Sequence, residues 1–271
     1  MSTAPYVAPS VDPDAAFAAL PRVYGTRRSA LLAELRVCVV GLGGVGSWAA
    51  EALVRTGIGH LTMIDHDDIG ASNLNRQLHA LGDTLGQSKV ETMRERLARV
   101  SSRCELVAED DFLAEKNLER LVARDFDVVI DAIDSIRFKA SLIAFCRRRK
   151  IRIVTTGGAG GRVDPLAVTV SDLSRTRGDA LAAKVRARLR AEHGFSSNPR
   201  RSFGVDCVHS REQPVYPDGE GGVTQAKPGV PGVRLDCDRG YGSVVFVTGA
   251  FGLAAAARAV QRALDARSRT T

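Results

Sequence analysis

The stretch Arg36-Val37-Cys38-Val39-Val40-Gly41-Leu42-Gly43-Gly44-Val45-Gly46-Ser47 decides the fold. Its valine-rich start reads as a buried strand, and residues 47–56 carry apolar side chains at helical spacing. Between them Gly41, Gly43, Gly44 and Gly46 permit a tight turn. Such a turn lets phosphate approach backbone N–H groups at a helix N-terminus. The pattern predicts a nucleotide site and, taken alone, is compatible with NAD, FAD or ATP.

Working outward, the alternation continues. The spacing predicts strands at 61–64, 104–108, 127–131 and 151–155, with helices near 87–100, 115–123 and 135–149. Strands alternating with helices imply right-handed crossovers. The expected fold class is α/β, a Rossmann-like, mostly parallel sheet with helices on both faces. Before this core, residues 1–13 hold Pro5, Pro9 and Pro13 and read as a flexible arm; helical patterns over 14–35 are interrupted near Pro21 and Gly25. After it, Gly157–Gly161 breaks the pattern, a strand is expected at 166–170 and a helix at 179–192. Residues 196–240 are rich in Gly and Pro, and 244–267 read as an alanine-rich helix. This describes one domain over 14–271: a nucleotide-binding core at about 36–155, and an irregular C-terminal lobe at about 156–271 ending in that helix.

Composition narrows the class. The 271 residues carry 38 Lys plus Arg against 31 Asp plus Glu, a formal charge of +7. With 44% hydrophobic and 25% charged residues, the chain is that of an ordinary globular protein. No run approaches the ~20 apolar residues of a membrane helix. The N-terminus has no cationic stretch leading into an apolar one, so no secretory signal is expected. Five scattered cysteines, Cys38, Cys104, Cys146, Cys207 and Cys237, have neither zinc-site spacing nor a disulfide framework. Reduced thiols and a cytoplasmic location follow as expectations.

The segment after the second strand separates the nucleotides. Asp65, at the strand end, is placed to accept hydrogen bonds from ribose hydroxyls, with Asp67 beside it. Asn73-Leu74-Asn75-Arg76-Gln77 and Lys89 follow. A dinucleotide has no terminal phosphates for extra cations to meet, whereas Arg76 and Lys89 suit a triphosphate and neutralise charge as pyrophosphate departs. At the end of the fourth strand, Asp131 and Asp134 stand where ligands of open α/β sheets collect. Asp134, beyond the strand, is the better Mg²⁺ ligand; Asp131 is a supporting or helix-capping group.

Taken together, Gly-x-Gly-Gly-x-Gly, Asp65, Asn73-x-x-Arg76-Gln77, Lys89 and Asp134 resemble the adenylating domain of ubiquitin-activating enzymes and their bacterial relatives. That resemblance implies ATP and Mg²⁺ as cofactors. It implies Asp65 on the ribose, Asn73, Arg76 and Lys89 on the phosphates, Asp134 on the metal, and Gln77 supporting the loop. Further segments are similar to the tRNA threonylcarbamoyladenosine dehydratases: Gly43–Leu53, Asp131–Ser135, Val154–Gly161, Gly204–Val208 and Leu235-Asp236-Cys237. The paired cysteines of many sulfur-carrier activators are absent from the sequence.

The implied reaction is ATP-dependent cyclisation of the modified adenosine. Its free carboxylate attacks the α-phosphate, pyrophosphate leaves, and a carbamoyl oxygen closes a five-membered ring as AMP is expelled. The alternative is an adenylating activator of a ubiquitin-like or sulfur-carrier protein; a nicotinamide oxidoreductase and a non-catalytic tRNA-binding module are weaker rivals. By the same resemblance Cys237 is a candidate nucleophile, against a gating or packing role, and its neighbours Asp236 and Asp238 oppose thiolate formation. Arg22, or alternatively Arg27, is a candidate arginine finger acting in trans, which implies a homodimer. The resemblance also admits a sulfur-transfer accessory protein as partner, and no membrane. Two basic clusters, Arg147–Arg152 and Lys184, Arg186, Arg188 and Arg190 on the 179–192 helix, are candidate contacts to the tRNA backbone, the latter flanking a Leu181, Val185, Leu189 stripe.

Overall fold

The computed structural model describes residues 13–123, 125–226 and 242–270. In chain order, β1 (Arg36–Val40), β2 (His60–Asp65), β3 (Glu105–Asp110), β4 (Val128–Asp131), β5 (Ile153–Thr156), β6 (Val168–Asp172) and β7 (Asp206–Ser210) form one seven-stranded sheet. Its order is β3-β2-β1-β4-β5-β7-β6, and all pairings are parallel except β6 with β7. A small hairpin joins β8 (Tyr216–Pro217) to β9 (Val223–Thr224).

The pleat of β1 divides the core. Val37 and Val39 face one layer, which holds α3 (Thr26–Leu32), α4 (Gly46–Arg55), α5 (Lys89–Ala98) and the long α9 (Val245–Thr270). Cys38 and Val40 face the other, which holds α6 (Leu118–Val122), α7 (Ile136–Arg148) and α8 (Ala180–Glu192). Both faces are covered, so the central strands are apolar throughout rather than alternating. Among the described residues no helix is long and apolar enough to cross a membrane.

Two sequence expectations change in detail. The interruption expected near Pro21 falls just ahead of it; Pro21 itself lies in the first turn of α2 (Leu20–Tyr24), where its missing N–H costs nothing. The break lies between α1 (Pro13–Phe17) and α2, and at Gly25. The last third is more regular than its Gly and Pro content suggests: β7 inserts between β5 and β6 as an interior strand, and α8 and α9 cover opposite faces. Its five residues are all buried, because a strand covered on both faces needs no alternation. Residues 1–12 of the expected arm lie outside the described residues.

Candidate active site

The strand order reverses between β1 and β4, since β2 and β3 lie to one side and β5 onward to the other. In an open α/β sheet the crevice above that point binds ligands. Here the carboxyl ends of β1, β2 and β4 bring together the glycine turn, Asp65 and residues 132–134.

The turn is built by contacts that only glycine allows. Gly41 has φ +87°, and a Cβ on Gly46 would lie 1.8 Å from the Gly41 carbonyl oxygen. A Cβ on Gly43, by contrast, meets nothing within 4 Å. Gly46→Ala is therefore expected to cost about 2–3 kcal/mol, a fall in Tm of roughly 5–10 °C, and to abolish nucleotide binding with it. Gly43→Ala is expected to leave Tm unchanged and to weaken ATP binding in calorimetry by about tenfold or more, because its side chain points where phosphate approaches. Equal melting losses in both variants would contradict this division.

The turn is tied to its surroundings. Asp65 accepts hydrogen bonds from the Leu42 N–H (2.5 Å) and the Asp67 N–H (2.9 Å). Ser47 donates to the Gly43 carbonyl (2.8 Å), and the Trp48 indole donates to the Arg76 carbonyl (2.9 Å). The Arg76 side chain runs against the turn: a Cβ on Gly44 would lie 3.0 Å from its Cγ. Its guanidinium donates to the Ser72 carbonyl (2.6 Å) and to Asn75 Oδ1 (3.0 Å). Asn73 Oδ1 accepts from the Gly70 N–H (3.0 Å), so the side chain shapes the loop and keeps its amide donors for other partners. Gln77 is buried with Oε1 unpartnered among the described residues, and its backbone N–H closes the same loop on the Asn73 carbonyl (2.9 Å).

Lys89 opens α5 and is buried, with Nζ 2.7 Å from Asp67 Oδ2. Nearby His79 is buried with both ring nitrogens unpartnered among the described residues. Its burial, with the charges of Lys89 and Arg96, lowers its pKa to about 4, so the imidazole is neutral at physiological pH. Asp134 is exposed, and among the described residues nothing pairs with its carboxylate. A free, hard oxygen donor of this kind fits Mg²⁺, which takes one or two carboxylates and keeps several waters.

Asp131 is placed differently. It is fully buried and ion-paired with Lys139 (3.0 Å), itself 2% exposed, and accepts from the Thr155 hydroxyl (2.6 Å). Burial pushes its carboxyl up, while the Lys139 ammonium and Thr155 pull against that. It supports β4 rather than facing a ligand.

Sequence reasoning missed Lys139, which has the spacing of an ordinary helix residue. It also missed the latch of Arg162 and Asp179, both buried. Arg162 donates to the carbonyls of Gly158, Gly178 (3.0 Å) and Glu212 (3.0 Å); Asp179 accepts from the Gly158 N–H (3.0 Å) and caps α8 through Ala182 (2.8 Å). Next to Asp65, the His66, Phe112 and Phe138 rings stack edge to face, with centroids 4.6 and 4.7 Å apart. Such spacing across three segments leaves no local pattern to read.

Other expected residues lie elsewhere. Arg22 and Arg27 are exposed on α2 and α3, which pack against Gly57–Gly59 at the amino edge of β2, opposite the glycine turn. Arg147–Arg152 also sit at the amino edge, ahead of β5. On α8, Val185 and Leu189 are buried as expected while Leu181, at the first turn, is only half-buried, and the helix's cations are largely engaged. Arg186 bonds Thr176, Arg188 pairs with Glu192 (2.8 Å), Arg190 lies over Phe203, and Lys184 remains exposed. Burial pushes the Cys104 and Cys146 thiols up to about 12 and raises Cys207 as well, so these are packing residues. Cys237 lies outside the described residues.

The ThiF family model matches residues 17–270. The tRNA threonylcarbamoyladenosine dehydratase of Escherichia coli K12 is 46% identical over 254 residues, 93% of this chain and 95% of that protein. Its Haemophilus influenzae counterpart is 43% identical over 253 residues, 93% of this chain and 94% of that protein. The crystal structure of the E. coli tRNA N6-threonylcarbamoyladenosine dehydratase in complex with ATP superposes with a TM-score of 0.84 at 42% identity, covering 95% of this chain and 97% of that one.

Proposed function

From the premise that the chain belongs to the ThiF family, within its tRNA threonylcarbamoyladenosine dehydratases, we propose that it catalyses the ATP-dependent dehydration of N6-threonylcarbamoyladenosine in tRNA. The observation that carries this reading is the extent of the match, 93% of the chain, which takes in the last third as well as the nucleotide core. An activator of a ubiquitin-like or sulfur-carrier protein is the reading it displaces.

The chemistry needs positioning and charge neutralisation more than acid–base work. The substrate carboxylate attacks the α-phosphorus of ATP and the bond to pyrophosphate breaks, leaving an acyl adenylate. The carbamoyl group then attacks the acyl carbon and loses a proton, and AMP departs with the former carboxylate oxygen. One water is thereby lost from the nucleoside. In this reading the glycine turn receives the phosphates, Asp65 the ribose, and the His66–Phe112–Phe138 rings an edge of the base. Asn73 amide donors, Arg76 and Lys89 meet the triphosphate; Lys89, held at one end of its reach by Asp67, is the group that follows the departing charge. Asp67 and Gln77 act on that set indirectly, by orienting Lys89 and closing the loop. Asp134 would hold Mg²⁺, which would supply further neutralisation of phosphate charge.

A homodimer belongs to the same proposal. Arg22 and Arg27 stand on the edge away from their own glycine turn, so either reaches a nucleotide only in a second copy. The proposed roles of Cys237 as acyl acceptor and of a sulfur-transfer protein as partner rest on the family resemblance alone. The exposed cations Lys184, Arg148, Lys150 and Arg152 supply sites for tRNA phosphates. We infer a cytoplasmic location from the substrate class.

The test is nucleoside mass analysis. Protein, Mg-ATP and tRNA bearing the linear modification are incubated, digested gently and compared with a control lacking ATP. An ATP-dependent loss of one water is expected. No mass change, together with ATP–pyrophosphate exchange only when a carrier protein is added, would move the assignment to the activator.

A further inference from the structure

Lys139 is a buried cation that the reaction above does not use. Its Nζ donates to the Ile133 carbonyl (2.8 Å) and the Asp131 carbonyl (3.3 Å) and pairs with Asp131 Oδ2 (3.0 Å). The Ile133 N–H in turn donates to Asp131 Oδ1 (3.2 Å). Residues 131–133 are therefore wrapped around one ammonium. From β5, the hydroxyls of Thr155 and Thr156 fix Asp131 at its carboxylate (2.6 Å) and carbonyl (3.2 Å).

Two parts of the candidate site hang on this turn. Asp134 is the next residue, followed by Ser135 at the head of α7. On the other side, the Ala132 N–H donates to the Val40 carbonyl (2.9 Å), and the Ala132 carbonyl oxygen lies 3.0 Å from the Cβ position of Gly41. The ammonium thus holds the residues immediately before Asp134, while the side facing the glycine turn is held by the backbone of Ala132. Stability alone does not require the ammonium. A buried ion pair is often replaceable by apolar side chains of similar volume at no loss, whereas removing one partner strands a charge. What the pair adds is a hold on the Ile133 carbonyl, directly before Asp134.

We propose that Lys139, clamped by Asp131, is a positioning residue that orients Asp134 toward the metal–triphosphate. This rests on the reading of Asp134 as the Mg²⁺ ligand. Groups that orient a metal ligand typically contribute about 10–100-fold to metal affinity or activity.

The test uses the full chain in four forms: native, Lys139→Arg, the charge-free pair Asp131→Asn/Lys139→Met, and Asp134→Asn. The paired substitution avoids a stranded buried carboxylate, and Tm verifies that it folds. Calorimetry measures AMP affinity without metal, then ATP affinity with Mg²⁺ and with EDTA. The expected result is unchanged metal-free AMP affinity in the paired variant, with the Mg²⁺-dependent gain in ATP affinity reduced about tenfold. Lys139→Arg is expected to recover part of the gain. Equal weakening of AMP and ATP, a gain equal to the native one, or a paired variant that does not fold would overturn the positioning role. If Asp134→Asn retains the native gain, the metal reading fails and the proposal falls with it. If Asp134→Asn loses the gain while the paired variant keeps it, the proposal alone fails.

Discussion

Asp134→Ala is expected to lower single-turnover dehydration by roughly 10²–10³-fold or more, while tRNA binding and Tm stay at their native values. The side chain is exposed and, among the described residues, unpaired, so its removal leaves no buried group stranded. It stands past the end of β4, above the point where the strand order reverses, and away from the exposed cations at 148–152 at the amino edge. The loss therefore belongs in the chemical step and in the Mg²⁺-dependent part of ATP binding. Mass analysis of the nucleoside after rapid quench, filter binding of modified tRNA and a melting curve separate the three quantities. Turnover within a few-fold of native would sink the assignment of Asp134, and a matching loss of tRNA binding would move it to substrate recognition.

Lys89→Met is the second large effect, with an expected loss of turnover of roughly 10²–10³-fold and little change in stability. Methionine fills nearly the same volume, so packing against α5 and its neighbours is kept. The partner, Asp67, has a side chain 52% exposed, so water replaces the lost ammonium. A salt bridge with one solvated partner contributes about 0–1 kcal/mol to folding, and Tm should move by only a few degrees. On the proposed reading what is lost is the cation that meets the triphosphate, and a neutral side chain offers nothing in its place. Steady-state and single-turnover rates, read beside Tm, decide the matter. A variant that retains turnover but melts early would show that Lys89 is a structural cation, and Asp67→Asn would then share that phenotype.

Much of the nucleotide core was legible because its signals are local. Residues 36–47 encode strand, turn and helix within twelve positions, and the later elements appear within a few residues of where periodicity put them. Asp65, Arg76, Lys89 and Asp134 were singled out because each sits at a strand end or in a short motif attached to one. The last third was less legible. Val205–Val208 read as strand-like, but nothing local told that β7 lies between β5 and β6, since its partners are far away in sequence. The basic helix misled in another way: Arg186 and Arg190 find acceptors and a ring on other segments, so charge counted along α8 overstates what solvent sees.

By itself, then, the sequence determined the fold class, the nucleotide turn and the family, because these rest on residue type and spacing between near neighbours. The sequence already preferred Asp134, beyond β4, to Asp131 at its end; only the tertiary structure shows what holds Asp131. Asp131 is claimed by Lys139 from the second turn of α7 and by Thr155 from β5, and Asp134 is left to a ligand. It likewise decided that Arg22 stands toward the amino edge of its own sheet, and that Lys139, within a helix, bonds the turn after β4. Such choices depend on which segments the crossovers pack together, and a buried charge is satisfied by whatever atoms the fold brings within hydrogen-bond reach.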